Sequence, residues 1–154
     1  MENKKSIAII GIGNFLMCDE GAGIHAIAEL EKHEWASDIE LIDAGTPGVS
    51  LIYMIENRDL VIIIDCADFS GKPGEIGVFD PADLKPDEND QISLHATDLL
   101  GSLTLAKKTG NYPKKIRIVG IQPTTIEMGT KLSEPVQLAI NDIQQTIAQL
   151  LTTL

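Results

Sequence analysis

The chain has 154 residues, of which 44% are hydrophobic and 23% are charged, and its formal net charge is −11. A chain of this length fits one domain over residues 1–154 and can bury a core without disulfides or a structural metal. Twelve Lys and Arg against 23 Asp and Glu argue against nucleic-acid and anionic-membrane partners, since both require a basic face.

We expect neither export nor membrane insertion of this chain. No apolar run approaches the roughly 20 residues of a membrane helix, and Met1 is followed by charged residues and a very short apolar segment. We therefore expect a cytoplasmic protein. Cys18 and Cys66 are too few for a disulfide framework, and we predict two free, buried, inert thiols.

Apolar runs and helical spacings alternate along the chain. Strands are predicted over residues 6–10, 39–43, 60–64, 75–79 and 114–121. Helices are predicted over residues 20–33, 47–56 and 94–108, and from Ser133 to the end, with Ser93 and Ser133 as N-caps. This order predicts an α/β fold, a three-layer α/β/α sandwich with a mostly parallel twisted sheet of about five strands.

Acidic residues follow three of the predicted strands. The first strand leads into a glycine-rich turn with Asp19 and Glu20, the second ends at Asp43, and the third ends at Asp65. Ligands of such sheets bind beyond the carboxyl ends of the strands, so we expect these acids to gather at one edge. Like charges this close need a shared proton or a cation, and a bound metal is the simplest compensation.

His95 is a candidate fourth contributor to this edge. It lies near the start of a predicted helix, where the dipole disfavours the imidazolium form, and a neutral imidazole can bind a metal. Carboxylates and imidazole together suit zinc or nickel better than magnesium or calcium.

Each residue also has a simpler explanation. Asp19 can be the N-cap of the first helix, with Glu20 in its first turn, and Asp43 can cap a turn through its own backbone. Asp65 follows five apolar residues and should be half-buried, where carboxylates rarely lack a partner. His25 is predicted to lie on a helix surface, as is His33. The coincidence of several acids at one edge favours the functional interpretation, with Glu20 as ligand and Asp19 as cap.

Two other site classes fit poorly. Gly11-Ile12-Gly13 after a strand is similar to the start of a dinucleotide fingerprint, but Leu16 occupies the place of the third glycine and the acids would repel a pyrophosphate. No GxSxG turn supports a serine nucleophile.

In combination, the motifs resemble the endopeptidases that mature nickel–iron hydrogenases. The matching residues are Gly11-Ile12-Gly13-Asn14, Leu16, Asp19-Glu20, Gly21, Gly23, Asp43-Ala44-Gly45-Thr46, Gly48, Asn57-Arg58-Asp59, Asp65, Ser93-Leu94-His95, Pro113-Lys114-Lys115 and Val119-Gly120-Ile121-Gln122-Pro123. They extend over essentially the whole chain. Ala44 stands where the family pattern has a glycine.

The resemblance implies an endopeptidase that removes the C-terminal extension of a hydrogenase large-subunit precursor after nickel insertion. It implies Glu20, Asp65 and His95 as metal ligands that contact the nickel of the precursor, so that the metal acts as a recognition signal. Zinc or cadmium can occupy such a site in vitro.

The implied catalytic residues are Asp43, Glu20 and Asp65, and two mechanisms stay open. A metal can polarise the scissile carbonyl or a water, with Asp43 as general base, or two acids can share a proton and activate water. The alternative function is a non-catalytic chaperone that holds nickel or the precursor.

Overall fold

The computed structural model describes residues 5–84, 93–94 and 99–153. The strands are β1 (Ile7–Ile12), β2 (Ile39–Gly45), β3 (Leu60–Asp68), β4 (Ile76–Phe79), β5 (Ser93–Leu94) and β6 (Ile116–Ile121). The helices are α1 (Ala22–Leu30), α2 (Leu51–Ile55), α3 (Leu99–Thr109), α4 (Glu134–Asn141) and α5 (Ile143–Thr153). Short 3₁₀ turns occupy Cys18–Gly21, Gly48–Ser50 and Pro81–Asp83.

The sheet has the order β2-β1-β3-β6-β4, and β5 pairs with the end of β3. The pairs β1–β2, β1–β3 and β3–β6 are parallel, whereas β4 runs antiparallel to β6 at the edge. Every residue of β1 is buried, and so is β3 except for Asp68, as continuous apolar runs predict for central strands.

Helices cover both faces of the sheet. The core on one face includes apolar residues of α1, α4 and α5, and the core on the other includes those of α2 and α3. The predicted α/β fold with a mostly parallel sheet is therefore confirmed. Within the part of the chain that the structure describes, none of the helices has the length and apolar character needed to span a bilayer.

Several predicted boundaries were wrong. Ser93 does not cap a helix: Ser93 and Leu94 pair with Asp68 and Ala67, and α3 begins only at Leu99. Here backbone pairing with β3 overrides a local capping signal.

The last helix is two helices that meet at Asp142, because the backbone leaves the helical region there while the apolar stripe continues. Likewise, β3 does not end at Asp65, because it continues to Asp68, where Ala67 and Asp68 pair with β5.

Candidate active site

Gly13, the residue after β1, lies where the Glu20 turn, Asp65 and the end of β2 come close together, and this place is here called the contact point. A Cβ at this position would lie 2.1 Å from the backbone oxygen of Glu20 and 3.7 Å from Oδ1 of Asp65. Its N–H donates to the backbone oxygen of Gly45 over 2.8 Å. Its φ of +147° is one that side-chain-bearing residues rarely adopt, so glycine is required twice over. In the sequence, Gly13 stands out only as part of a motif, and the further signal for its role is a glycine directly after a buried strand.

Glu20 lies in the 3₁₀ turn between β1 and α1 and is 6% exposed. The turn is positioned by Gly23, whose Cβ would lie 2.3 Å from the backbone oxygen of Ile12 and 2.4 Å from that of Ile64. The start of α1 therefore rests directly on the backbones of β1 and β3. This contact places the turn of Glu20 beside the strand that carries Asp65.

Asp65 is fully buried, not half-buried as expected. Its Cα is opposite Gly120 of β6, one residue beyond the last β1–β3 pair, Gly11 with Ile64. Asp65 thus lies in β3 just beyond the point where β1 stops pairing with it. Two buried carboxylates in adjoining segments are costly, and a cation between them would lower that cost.

The thiol of Cys66 reports on the charge of this region. Its pKa is raised by burial and then by the negative charges of Asp65, Asp19, Glu20 and Asp68. Three of the four acids of the predicted edge, Asp19, Glu20 and Asp65, therefore act on one buried thiol, whereas Asp43 is not among the charges that shift its pKa. Cys66 and the other cysteine are both free and buried, in agreement with the sequence prediction.

Asp19 is not a helix cap, because its turn has no side-chain capping bond. Its buried carboxylate instead accepts hydrogen bonds from residues 124–133. Oδ2 accepts from the N–H groups of Thr124 and Thr125, both over 2.9 Å, and Oδ1 accepts from the N–H of Ser133 over 2.8 Å. The Ser133 hydroxyl donates to Oδ2, also over 2.8 Å, instead of capping α4.

These bonds decide the ionisation of Asp19. Burial raises the pKa of the carboxyl, but the backbone bonds from Thr125, Ser133 and Thr124 and the Ser133 hydroxyl outweigh burial, so the pKa lies below its usual value. Asp19 is therefore a buried anion at neutral pH. It fixes the loop of residues 123–133 against the turn that carries Glu20.

Asp43 is exposed on β2, and its Oδ1 accepts a hydrogen bond from the N–H of Gly45 over 3.2 Å. The turn-capping explanation is thus correct, yet Asp43 also lines a cleft. This cleft of about 500 Å³ is bounded by Gly13, Asn14, Phe15, Ile24, Asp43, Gly45 and Thr46. Asp43 and the Gly13 contact point therefore share one opening.

Asp43 and Asp65 belong to opposite faces of the sheet. Alternation places Asp43 on the face of Leu41, in the core that includes α1, and Asp65 on the face of Ile63, in the core that includes α2 and α3. Since β1 lies between their strands, their backbones are about 10 Å apart. The arrangement separates these two acids instead of pairing them side by side.

His95 lies outside the described residues. Its predecessor, Leu94, pairs with Ala67, two residues after Asp65. Over residues 5–84, 93–94 and 99–153, no group of three His, Cys, Asp or Glu is arranged to hold a metal. The predicted set of Glu20, Asp65 and His95 therefore stays a prediction.

Comparison with known proteins bears on the whole chain. A family model described as hydrogenase maturation protease matches residues 24–150, which include Asp43, Asp65 and His95 but not Glu20. The hydrogenase 2 maturation protease of Escherichia coli strain K12 is 31% identical over 147 residues, covering 94% of this chain and 90% of that protein.

The hydrogenase expression/formation protein HupM of Azotobacter chroococcum mcd 1 is 35% identical over 140 residues, covering 86% of this chain. The match spans only 65% of that relative's length. The solved structure of the hydrogenase maturating endopeptidase HybD from E. coli superposes with a TM-score of 0.80 at 27% identity, covering 96% of this chain and 93% of that one. With the same fold, and a family match over most of its length, the chain belongs to the hydrogenase maturation protease family.

Proposed function

We propose that this protein is an endopeptidase that removes the C-terminal extension from a nickel-loaded precursor of a nickel–iron hydrogenase large subunit. Two observations support the proposal: the chain belongs to this family, and its candidate residues come close together at Gly13. There the turn of Glu20, the carboxylate of Asp65 and the cleft of Asp43 meet at one edge of the sheet. The cleft opens beside buried acids, which suits a substrate that carries a cation next to a peptide bond.

Glu20 and Asp65, together with His95, are the proposed contacts of the precursor's nickel. Two buried carboxylates gain from a nearby cation, and carboxylate with imidazole is a donor set that suits nickel. Because the ion arrives with the substrate, it serves as a recognition signal. Zinc or cadmium can bind the same donors in vitro.

Asp43 is the proposed general base. It is exposed in the cleft, where it can accept a proton from the water that attacks the scissile carbonyl. The positive charge of the precursor's nickel beside that carbonyl favours the attack. The separation of Asp43 from Asp65 by β1 argues against a proton shared between these two acids, since such a pair needs adjoining carboxyls.

The test is cleavage of the purified precursor. The protein is incubated with nickel-loaded and with nickel-free precursor, and the intact mass of the large subunit is measured. We expect loss of one C-terminal peptide from the nickel-loaded form alone. An unchanged mass would overturn the protease assignment, and a stable complex without cleavage would indicate a binding chaperone. Equal cleavage of both forms would reject the recognition role of nickel.

We also propose that this reaction takes place in the cytosol. Cys18 and Cys66 are free, and a reducing compartment keeps such thiols reduced. Fractionation of the native cells with an antibody to this protein tests the assignment, and recovery from an exported fraction would contradict it.

A further inference from the structure

Exposed apolar side chains are concentrated next to the cleft. Among the described residues, nine large apolar side chains are at least 40% exposed. Four of these nine lie on two loops, residues 13–18 and 122–132: Phe15, Leu16, Ile126 and Met128, here called the apolar rim. Single exposed apolar residues are ordinary, but a cluster of them commonly marks a binding surface.

Backbone hydrogen bonds hold the two loops of the apolar rim together. The N–H of Gly129 donates to the oxygen of Leu16, and the N–H of Cys18 donates to the oxygen of Gly129, both over 2.8 Å. Met17 and Gly129 also form a parallel β-bridge, and Leu16 and Met128 are the residues that directly precede this bridged pair. The rim is therefore a fixed feature of the surface.

Phe15 connects the apolar rim to the cleft. Its ring lines the cleft and stacks on His25, with centroids 5.2 Å apart and planes inclined by 26°. His25, predicted to lie on the helix surface, is half-buried: its Nε2 is buried, with no hydrogen-bond partner among the described residues. The stack holds Phe15 at the cleft, so the rim and the cleft form one continuous surface.

The charge of the two loops indicates what the rim binds. Residues 11–18 carry no charge, and residues 122–132 carry only Glu127 and Lys131, in a chain of net charge −11. An apolar peptide can cover such a surface without desolvating charged groups. A second copy of this acidic chain would meet electrostatic repulsion instead.

We propose that the apolar rim binds an uncharged, apolar segment of the polypeptide substrate beside the bond that is cut. The inference rests on the proposed function, and it assigns substrate selection to side chains outside the acidic site. Leu16 and Met128 are the two most exposed members, at 62% and 89%, and they carry the main contact.

The test is the double variant Leu16→Gln/Met128→Gln. With nickel-loaded precursor, kcat/KM should fall about 10–100-fold, mainly through a higher KM, because two apolar contacts are lost from binding and not from the chemical step. The matched control is Leu138→Gln, because Leu138 is also a leucine, is 57% exposed and belongs to α4, outside the two loops. The control should stay within about twofold of the wild type.

Each outcome decides the proposal. Wild-type kcat/KM in the double variant, a loss through kcat at constant KM, or an equal loss in Leu138→Gln would overturn it. The single variant Met128→Gln should fold normally, because an 89% exposed side chain adds little to the core. The KM of this variant should also rise. If the wild type does not cleave, the proposed function fails, and calorimetric binding of the precursor then tests the rim. Equal affinity of wild type and double variant for the precursor would overturn the proposal that the rim binds the substrate.

Discussion

Replacing Asp19 by asparagine should lower the free energy of unfolding by about 2–4 kcal/mol. The carboxylate is fully buried, and its two oxygens accept hydrogen bonds from Thr124, Thr125 and Ser133. An asparagine has one oxygen and one NH₂ group, so only one side of the group can still accept. If the oxygen faces the threonines, the NH₂ meets the N–H of Ser133, donor against donor.

The magnitude follows from these contacts. One backbone N–H left buried without an acceptor costs about 1–3 kcal/mol. The remaining bonds lose their charge assistance, which roughly halves their strength. Relief of the cost of burying a charge offsets part of this loss. A net change of about 2–4 kcal/mol lowers Tm by roughly 5–15 °C in a domain of this size.

Urea unfolding, followed by circular dichroism, measures the change for Asp19→Asn. The matched control is Asp68→Asn, because Asp68 is exposed and a single oxygen accepts both of its bonds, from Ser70 and Gln122. An asparagine oxygen can replace it, so the control should change stability by less than about 1 kcal/mol. A loss below about 0.5 kcal/mol in Asp19→Asn, or equal losses in both variants, would refute the argument.

Three further changes test the site and the fold. Gly13→Ala should abolish cleavage, because its Cβ would lie 2.1 Å from the backbone oxygen of Glu20. The control Gly101→Ala has open space around its Cβ in α3, and it should raise the free energy of unfolding by about 0.5–1 kcal/mol. An active Gly13→Ala enzyme would contradict the packing at Gly13. Asp43→Asn should lower kcat about 10²–10⁴-fold in the mass assay, because an amide cannot act as the general base. Its Tm should be unchanged, because the amide oxygen can still accept the hydrogen bond from the Gly45 N–H. Full activity would show that Asp43 is not the base. In Tyr53→Phe, absorbance at 295 nm should show the one remaining tyrosine, Tyr112, ionising above about pH 10, because burial raises its pKa. A raised pKa stabilises the fold below about pH 10 and this contribution is lost as pH rises further, so ionisation at or below pH 10 would contradict its burial.

The sequence predicted the sheet well because its strongest signals are local and redundant. Residues 60–64 are five apolar residues in a row, and such a run fits a strand covered on both faces. The gathering of the acids after β1, near the end of β2 and within β3 then follows from the geometry of parallel strands. The positions of Glu20, Asp43 and Asp65 at one edge needed no further information.

The roles of individual side chains were harder to predict, because their partners are distant in the sequence. Asp19 resembles a helix cap locally, yet its hydrogen-bond partners lie 105–114 positions away. Ser93 is likewise a residue type favoured at helix N-caps, but it pairs with Asp68 of β3. A short polar residue at a turn can satisfy either requirement, and only the tertiary structure decides between them.

The close contact at Gly23 has a consequence for sequence divergence. Because the start of α1 rests on the main chain of Ile12 and Ile64, the height of the Glu20 turn above the sheet is set without any side chain. Exchanges among core residues such as Ile27 can therefore accumulate while the acidic edge keeps its dimensions. Distant relatives would therefore keep the geometry of the acidic edge even where their core sequences have little in common.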